Sequence, residues 1–373
     1  MISTIKSMRI GINLLSIKEM TGVGVYAHTL LTNLGKIDKD DTFLIFANNK
    51  FYDEFYFDFP NFYYVKLNVS PDRFLKRIFF EQVILPIQLK KHKIDVLFNP
   101  SVFNPFFSPC PKVTVLHDIV YLNMKFSIFK KIYFKFVTSA AVKSRVIITI
   151  SEFSKREILK QLKIKNEKIK ITYQSCPPLL PVDSNKASAI LNSFGISKPY
   201  FFYIGAITPH KNIKNIILAF EDFYKSHRDF KMIFAGPIVE ELIDLDNMKK
   251  EIKFGEEIKF LGKVSEEEKI ALYSGAKGFI FPSLYEGFGL PVLEAQSLGV
   301  PVLTSNIASL PEVGGDGVLY VDPTNVSDIA SGMAKLATDE ILVRELIKKG
   351  FKNIDRFSPE AEAKETLDVI KNF

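Results

Sequence analysis

Short runs of apolar, β-branched residues alternate along the chain with longer stretches in which apolar side chains recur every three or four positions. In the first half the short runs fall at residues 8–15, 43–48, 63–67, 96–99, 113–117, 146–150 and 169–172. Helical periodicity occupies residues 23–34, 74–91, 127–142 and 154–162. Strands alternating with helices predict parallel pairing, because a parallel pair needs a long crossover between its strands. At residues 176–181 the sequence Cys-Pro-Pro-Leu-Leu-Pro breaks the pattern, since three prolines fix φ and remove N–H donors. A second series then begins, with strands expected at 200–204, 231–235, 258–261, 278–281, 302–304 and 318–321. Its helices include 212–226, 266–274, 291–298 and 327–338. The expectation is an α/β protein of two similar units, 1–180 and 181–357, followed by a helix over 358–373. Ser358 suits the N-cap of that helix and Pro359 its first turn. A helix left over after a completed unit must pack somewhere, and one choice is back across the first unit. No fixed-period repeat is visible.

Composition narrows the class. A chain of 373 residues with 47% hydrophobic residues can fill two cores. Two cysteines, Cys110 and Cys176, are too few for a disulfide framework and read as reduced thiols. The opening MISTIKSMRIGINLL reads as a strand, not as a cleaved leader, and no apolar run is long enough to span a bilayer. A cytoplasmic protein is expected. The net charge of +7 points to an anionic partner: nucleic acid, a membrane surface or a phosphorylated substrate. Arg73, Lys76, Arg77, Lys90, Lys91 and Lys93 lie among Phe, Ile and Leu. That mixture suits peripheral docking on the anionic inner face of a membrane, and equally an amphipathic helix with a solvated basic face. No nucleic-acid-binding signature is present, so no nucleic-acid partner is expected.

Four clusters carry candidate chemistry. In the segment from Phe281 to Glu294 a strand runs into a turn with Gly287 and Gly289, and a helix opens near Pro291. Such a turn offers free backbone N–H groups and a positive helix end to phosphate or sugar oxygens. Glu286 stands in the turn, and Glu294 lies in an apolar run where it can accept both hydroxyls of a ribose. Next, Gly205 closes a strand and Lys211-Asn212 opens a helix, which places a lysine at a strand's carboxyl end, where a diphosphate can be neutralised. In the third, Gly22-Val23-Gly24-Val25-Tyr26 has the glycine spacing of a dinucleotide fingerprint, but too many residues separate it from the strand, and the second strand ends without an acid. A mobile glycine turn fits better. The fourth, His117-Asp118, ends an apolar strand, where the imidazole can donate to a sugar hydroxyl or a carbonyl. The pairs Asp38-Lys39-Asp40 and Asp244-Leu245-Asp246 lie in charged stretches and read as solvated, so no metal site is expected.

Taken together these segments resemble the retaining GT-B glycosyltransferases of family four, the glycosyl transferases group 1, which share a Glu-x7-Glu motif. The similarity spans nearly the whole chain and includes Ser151-Glu152-Phe153-Ser154, Phe260 to Val264 and Ala308 to Gly314. It implies two Rossmann-like domains facing a central cleft, the first on the acceptor side and the second binding the nucleotide sugar. It further implies that Lys211 binds the donor diphosphate, Glu294 the ribose, and Glu286 the region of the anomeric centre. Backbone N–H groups of Phe288, Gly289 and Leu290 would hold sugar hydroxyls and phosphate. His117 would contact the donor sugar, Gly22 and Gly24 would let a loop close over the phosphates, and Gly205, Gly236, Lys263 and Val264 would border the nucleotide. No cofactor beyond the nucleotide sugar is implied. The expected reaction moves a hexose, with mannose from GDP-mannose as first choice over a UDP-hexose, to a hydroxyl of a growing glycan or lipid-linked acceptor such as O-antigen or capsule. The rival readings are a GT-B-shaped epimerase or phosphorylase, and a non-catalytic sugar-binding module. Val25, Ala206 and His210 stand where many members carry arginine, so a cation usually beside the diphosphate is missing.

Overall fold

The computed structural model describes residues 7–17, 22–49, 52, 56–122, 127–177, 179–197, 199–239 and 250–372. The pair Asp244-Leu245-Asp246 lies outside them. The chain forms two compact units, residues 1–175 with 358–373, and residues 176–357.

In the first unit, strand β1 (Arg9–Leu14) leads to helix α1 (Val23–Ile37), then to β2 (Thr42–Asn48) and β3 (Phe62–Leu67). A broken helical segment follows, α2 (Phe74–Phe79), a π turn (Phe80–Ile84) and α3 (Leu85–Lys91). Next come β4 (Val96–Asn99), β5 (Lys112–Val115), α4 (Ile128–Val142), β6 (Val146–Thr149), α5 (Glu152–Leu162) and β7 (Ile169–Ile171). The strands form a parallel seven-stranded sheet in the order β3-β2-β1-β4-β5-β6-β7. Its inner strands β1, β2 and β4 are buried along nearly their whole length, as in a parallel sheet covered on both faces, whereas the outer strand β3 is exposed at Tyr63.

The single helix expected over 74–91 is interrupted. Pro86 has no N–H to give the carbonyl one turn back, and the Leu85 N–H reaches past it to Phe80 O. The widened turn buries Arg77 and Glu81, so Arg77 is not part of a solvated basic face. Its guanidinium donates to the Tyr133 hydroxyl at 2.8 Å.

In the second unit, α6 (Ser184–Ser193) precedes β8 (Tyr200–Ile204), α7 (Ile213–Tyr224), β9 (Lys231–Ala235) and β10 (Ile258–Phe260). Then follow α8 (Glu266–Ser274), β11 (Gly278–Phe281), α9 (Leu290–Ser297), β12 (Val302–Ser305), α10 (Leu310–Gly314), β13 (Leu319–Val321), α11 (Val326–Thr338) and α12 (Glu340–Ile354). Its six-stranded parallel sheet has the order β10-β9-β8-β11-β12-β13. The order reverses at β8, so the carboxyl ends of β8 and β11 flank a switch point where ligands of such sheets bind. The core beneath is aromatic, with Phe201, Phe202, Phe279 and Phe281 fully buried on neighbouring strands.

The last helix, α13 (Pro359–Lys371), starts as its sequence predicts, with Ser358 capping the Ala361 N–H. It belongs to the first unit and packs on α1. Lys371 ends it as the partner of two carboxylates, at 3.0 Å from Asp38 Oδ2 and 2.6 Å from Asp41 Oδ2. This corrects the solvated reading of Asp38-Lys39-Asp40: Asp38 is buried, capping the loop after α1, because the terminal helix supplies its counter-charge.

Candidate functional site

Strands β8, β9 and β10 end in a common backbone rim. Gly236 follows β9 with φ 123°, and a Cβ there would lie 2.1 Å from the Gly205 carbonyl oxygen. Only glycine lets these two strand-end turns touch. The Gly236 N–H donates to the Gly262 carbonyl at 2.7 Å. Gly205, Gly236 and the Lys263-Val264 pair thus share the carboxyl edge of this sheet.

From Gly205 the chain makes one tight turn, Pro209–Lys211, and enters α7 through Asn212 in left-handed conformation, φ 64°. Asn212 sits at the N-cap position, yet its side chain does not cap the helix. Its amide donates instead to the carbonyls of Pro282 at 2.9 Å and Pro323 at 2.7 Å. The Leu284 N–H donates to the His210 carbonyl at 2.8 Å. These bonds fasten the loop after β8 to the loop after β11.

Across that seam Lys211 Nζ lies 2.6 and 2.7 Å from the two oxygens of Glu286, a residue 75 positions away in sequence. Both side chains are largely buried, at 16% and 11% exposure, and the Phe281 ring lies 5.2 Å from the ammonium. An ammonium has three donors, so one N–H remains beyond the two that meet Glu286. The Glu286 loop is held from beneath by Ser309, whose hydroxyl lies 2.9 Å from the Glu286 carbonyl and 2.6 Å from that of Phe288. Gly289 turns the chain into α9 at φ 116°, against Leu310, which a Cβ would approach to 2.7 Å. Helix α9 then starts directly beyond the turn with no side-chain cap. The positive end of its dipole therefore lies beside the Phe288–Leu290 backbone.

Glu294 is buried in α9, as its apolar neighbours require. Helix α8 supplies two partners that the sequence did not reveal. Lys269 Nζ donates to Oε1 at 2.9 Å, and the Tyr273 hydroxyl donates to Oε2 at 3.1 Å. Burial by itself would lower the Lys269 pKa, but Glu294 together with Glu266 holds it above the usual lysine range. Lys269 stands in the run Glu266-Glu267-Glu268-Lys269, which reads as a surface helix start. Only the lysine's position, on the face turned to α9, gives it a role.

In the first unit Gly22 precedes α1 with φ 46° and open space around it. Gly24 is helical and buried in the first turn of α1, as the helical period from residue 23 predicts, so Gly22 is the glycine that stands in the turn. The Tyr26 ring meets the His117 ring edge-on at 4.7 Å. His117 Nε2 lies 3.0 Å from the Pro100 carbonyl, to which it donates. Burial pushes the imidazole pKa down to about 4, so the ring is neutral and Nδ1 is left as an acceptor. Of the two acceptors expected for the imidazole, a sugar hydroxyl or a carbonyl, the structure shows the carbonyl, that of Pro100. Among the described residues no three His, Cys, Asp or Glu side chains gather as a metal site.

The fold is GT-B, the glycosyltransferase class built from two Rossmann-like units. Within it the chain belongs to family four: the family model described as Glycosyl transferases group 1 matches residues 190–353, and that described as Glycosyltransferase Family 4 matches residues 20–175. It is 30% identical over 237 residues to the O-antigen chain mannosyltransferase B of Escherichia coli, a match covering 61% of each chain. It is 32% identical over 233 residues to the O-antigen chain mannosyltransferase RfbU of Salmonella typhimurium, covering 62% of this chain and 59% of that one. The chain thus matches about three fifths of the length of these relatives. Among solved structures, WaaG, a glycosyltransferase involved in lipopolysaccharide biosynthesis, aligns with TM-score 0.73 at 13% identity, covering 98% of this chain and 100% of that one. Anabaena HepE in complex with UDP-glucose aligns with TM-score 0.74 at 16% identity, with the same coverage. At these identities the likeness is one of fold. Among the described residues no helix is long and apolar enough to cross a membrane.

Proposed function

We propose that this protein is a retaining, metal-independent hexosyltransferase that moves mannose from GDP-mannose to a hydroxyl of a growing cell-surface glycan such as O-antigen. The observation that carries the reading is the Lys211–Glu286 pair, which joins the carboxyl ends of two strands flanking the switch point. The O-antigen mannosyltransferase relatives support the choice of sugar and of glycan. The UDP-glucose held by the HepE structure supports a nucleotide sugar as donor.

In this reading Lys211 and the start of α9 stabilise the diphosphate as the bond from the anomeric carbon to its oxygen breaks. The acceptor oxygen forms its bond to that carbon on the same face, and its proton passes to the departing phosphate oxygen. Glu286 lies beside the anomeric centre and stabilises positive charge developing there. Glu294 receives the ribose hydroxyls on lone pairs not used by Lys269 and Tyr273. His117 accepts a hydrogen bond from a sugar hydroxyl at Nδ1. The acceptor is a glycan or lipid-linked glycan, the setting is cytoplasmic, and no further cofactor takes part.

The test is donor hydrolysis and transfer with a panel of NDP-sugars, the anomeric configuration of the product being read by NMR. GDP-mannose should be turned over fastest, with retention, and chelator should leave the rate unchanged. Lys211→Ala should lower kcat/KM by roughly a hundredfold or more, the size of a lost transition-state charge contact, while leaving the far-UV CD spectrum intact. Near-normal turnover by that variant would sink the assignment. An inverted product, or binding of sugar without turnover, would redirect it to another mechanism or to a binding module.

A further inference from the structure

Apolar side chains normally turn inward, and monomeric proteins rarely leave large ones bare in a contiguous group. The first unit does so on one face. Phe129 is 82% exposed, Leu75 79% and Phe107 75%. Ile128, Ile132 and Phe136 on α4, and Phe74 and Phe79 on α2, are exposed beside them.

These positions form one built surface. Phe74 packs edge-on against Tyr133 of α4 at 4.6 Å, and the buried Arg77 donates to the same tyrosine's hydroxyl. Phe106 stacks on Phe136 at 5.6 Å and touches Phe107. Helix α2, helix α4 and the 106–107 loop are therefore held together from beneath, while among the described residues their outer side chains stay exposed.

Charge on this face is almost all of one sign, Asp72 just ahead of α2 being the exposed acid beside it. Arg73, Lys76, Lys130, Lys131, Lys135 and Lys143 are exposed among the apolar side chains. Between Arg73 and Lys93 the sole acid is Glu81, which is buried, and from Ser127 to Arg145 there is none. A second copy of the same face is a poor partner, since it would bring lysine against lysine. Aromatic and aliphatic side chains interleaved with lysines match an anionic bilayer, whose headgroups meet the cations while its acyl boundary takes the apolar groups.

We propose that the α2–α4 face docks this protein on an anionic lipid surface, with Phe129 and Ile132 entering the interface. The surface extends beyond the basic stretch at 73–93, because its most exposed apolar residue stands on α4. Docking there would let a transferase meet a lipid-linked acceptor in two dimensions. The inference does not depend on the sugar-transfer reading, since lipid binding is measured without donor or acceptor.

The chain contains no tryptophan, so Phe129→Trp creates a single fluorescent reporter on the face. Phe351→Trp, at an exposed site in the second unit, is its control. With vesicles of phosphatidylglycerol and phosphatidylcholine, Phe129→Trp should shift to the blue and be quenched by brominated acyl chains, and the control should do neither. Pure phosphatidylcholine should give a much weaker shift, as should about 0.5 M salt. The pair Phe129→Ser with Ile132→Ser should lower vesicle partitioning roughly tenfold or more. No shift at position 129, or an equal shift at 351, overturns the proposal. So does equal binding to neutral vesicles. A shift that grows with protein concentration without lipid would assign the face to self-association instead.

Discussion

At Glu294 a carboxylate is buried with an ammonium and a phenol already bonded to it. Removing one partner of such a pair strands a charge, and that costs about 3 kcal/mol or more. Lys269→Met keeps the stem volume and deletes the charge. We expect it to raise KM for the donor roughly tenfold, about the worth of one charged hydrogen bond, with kcat changed far less. Combining it with Glu294→Gln should restore stability in urea but not donor affinity, because the neutral amide no longer needs a cation. If the double variant regains normal KM, Glu294 is not the ribose ligand. Lys269 is a positioning residue in this account, since it acts through Glu294.

Helix α13 shows the same economy at the scale of an element. Its Glu362 is buried, and Oε2 accepts from both the backbone N–H and the hydroxyl of Ser175. Burial raises its pKa to about 7, against those two bonds, which lower it, with Glu365 adding to the rise. Oε1 is buried with no hydrogen-bond partner, and an orphaned buried carboxyl costs less neutral than charged. A carboxyl raised in the fold above its unfolded value near 4.5 is stabilising below that value, and the contribution is lost as pH climbs through about 7. Glu362→Gln should therefore match the parent in Tm near pH 4.5 and exceed it at pH 8. The difference should be on the order of 2–3 kcal/mol. Parallel Tm curves for the two proteins across that range would show that Glu362 is ionised in the fold.

For the whole molecule, the decisive feature is that the chain leaves the first unit at residue 175 and returns to it at 358. The closing contact is Lys371 with Asp38 and Asp41, two buried carboxylates that share this one ammonium. Burial would lower the lysine pKa, but the paired aspartates hold it above the usual range. Lys371→Met should destabilise the first unit by about 3 kcal/mol, the cost of an uncompensated buried charge. Hydrogen exchange should report the loss in β1 and β2 and leave β8 and β11 protected. Equal loss in both units would mean that they unfold as one.

The alternation of apolar runs and helical periods was enough to place most strands of both sheets within a residue or two. The proline run marked the change of unit, and Gly205, Lys211, Glu286 and Glu294 stood out as candidates, because strand ends and glycine turns are local signals. Sequence alone could not reveal partners brought together across distant segments. Lys211 meets Glu286 only because Asn212 bonds to Pro282 and Pro323. Asp38 looked solvated, and Lys269 did not stand out at all, because charge in a polar run carries no record of what packs on it. Arg77 looked like surface for the same reason: whether a residue is capped, buried or paired is decided by neighbours far along the chain. Composition and periodicity therefore determined the class of fold and the positions of the strand-end motifs. Tertiary packing decided which charges were paired, which proton His117 had already spent, and which apolar side chains on α2 and α4 were left facing outward.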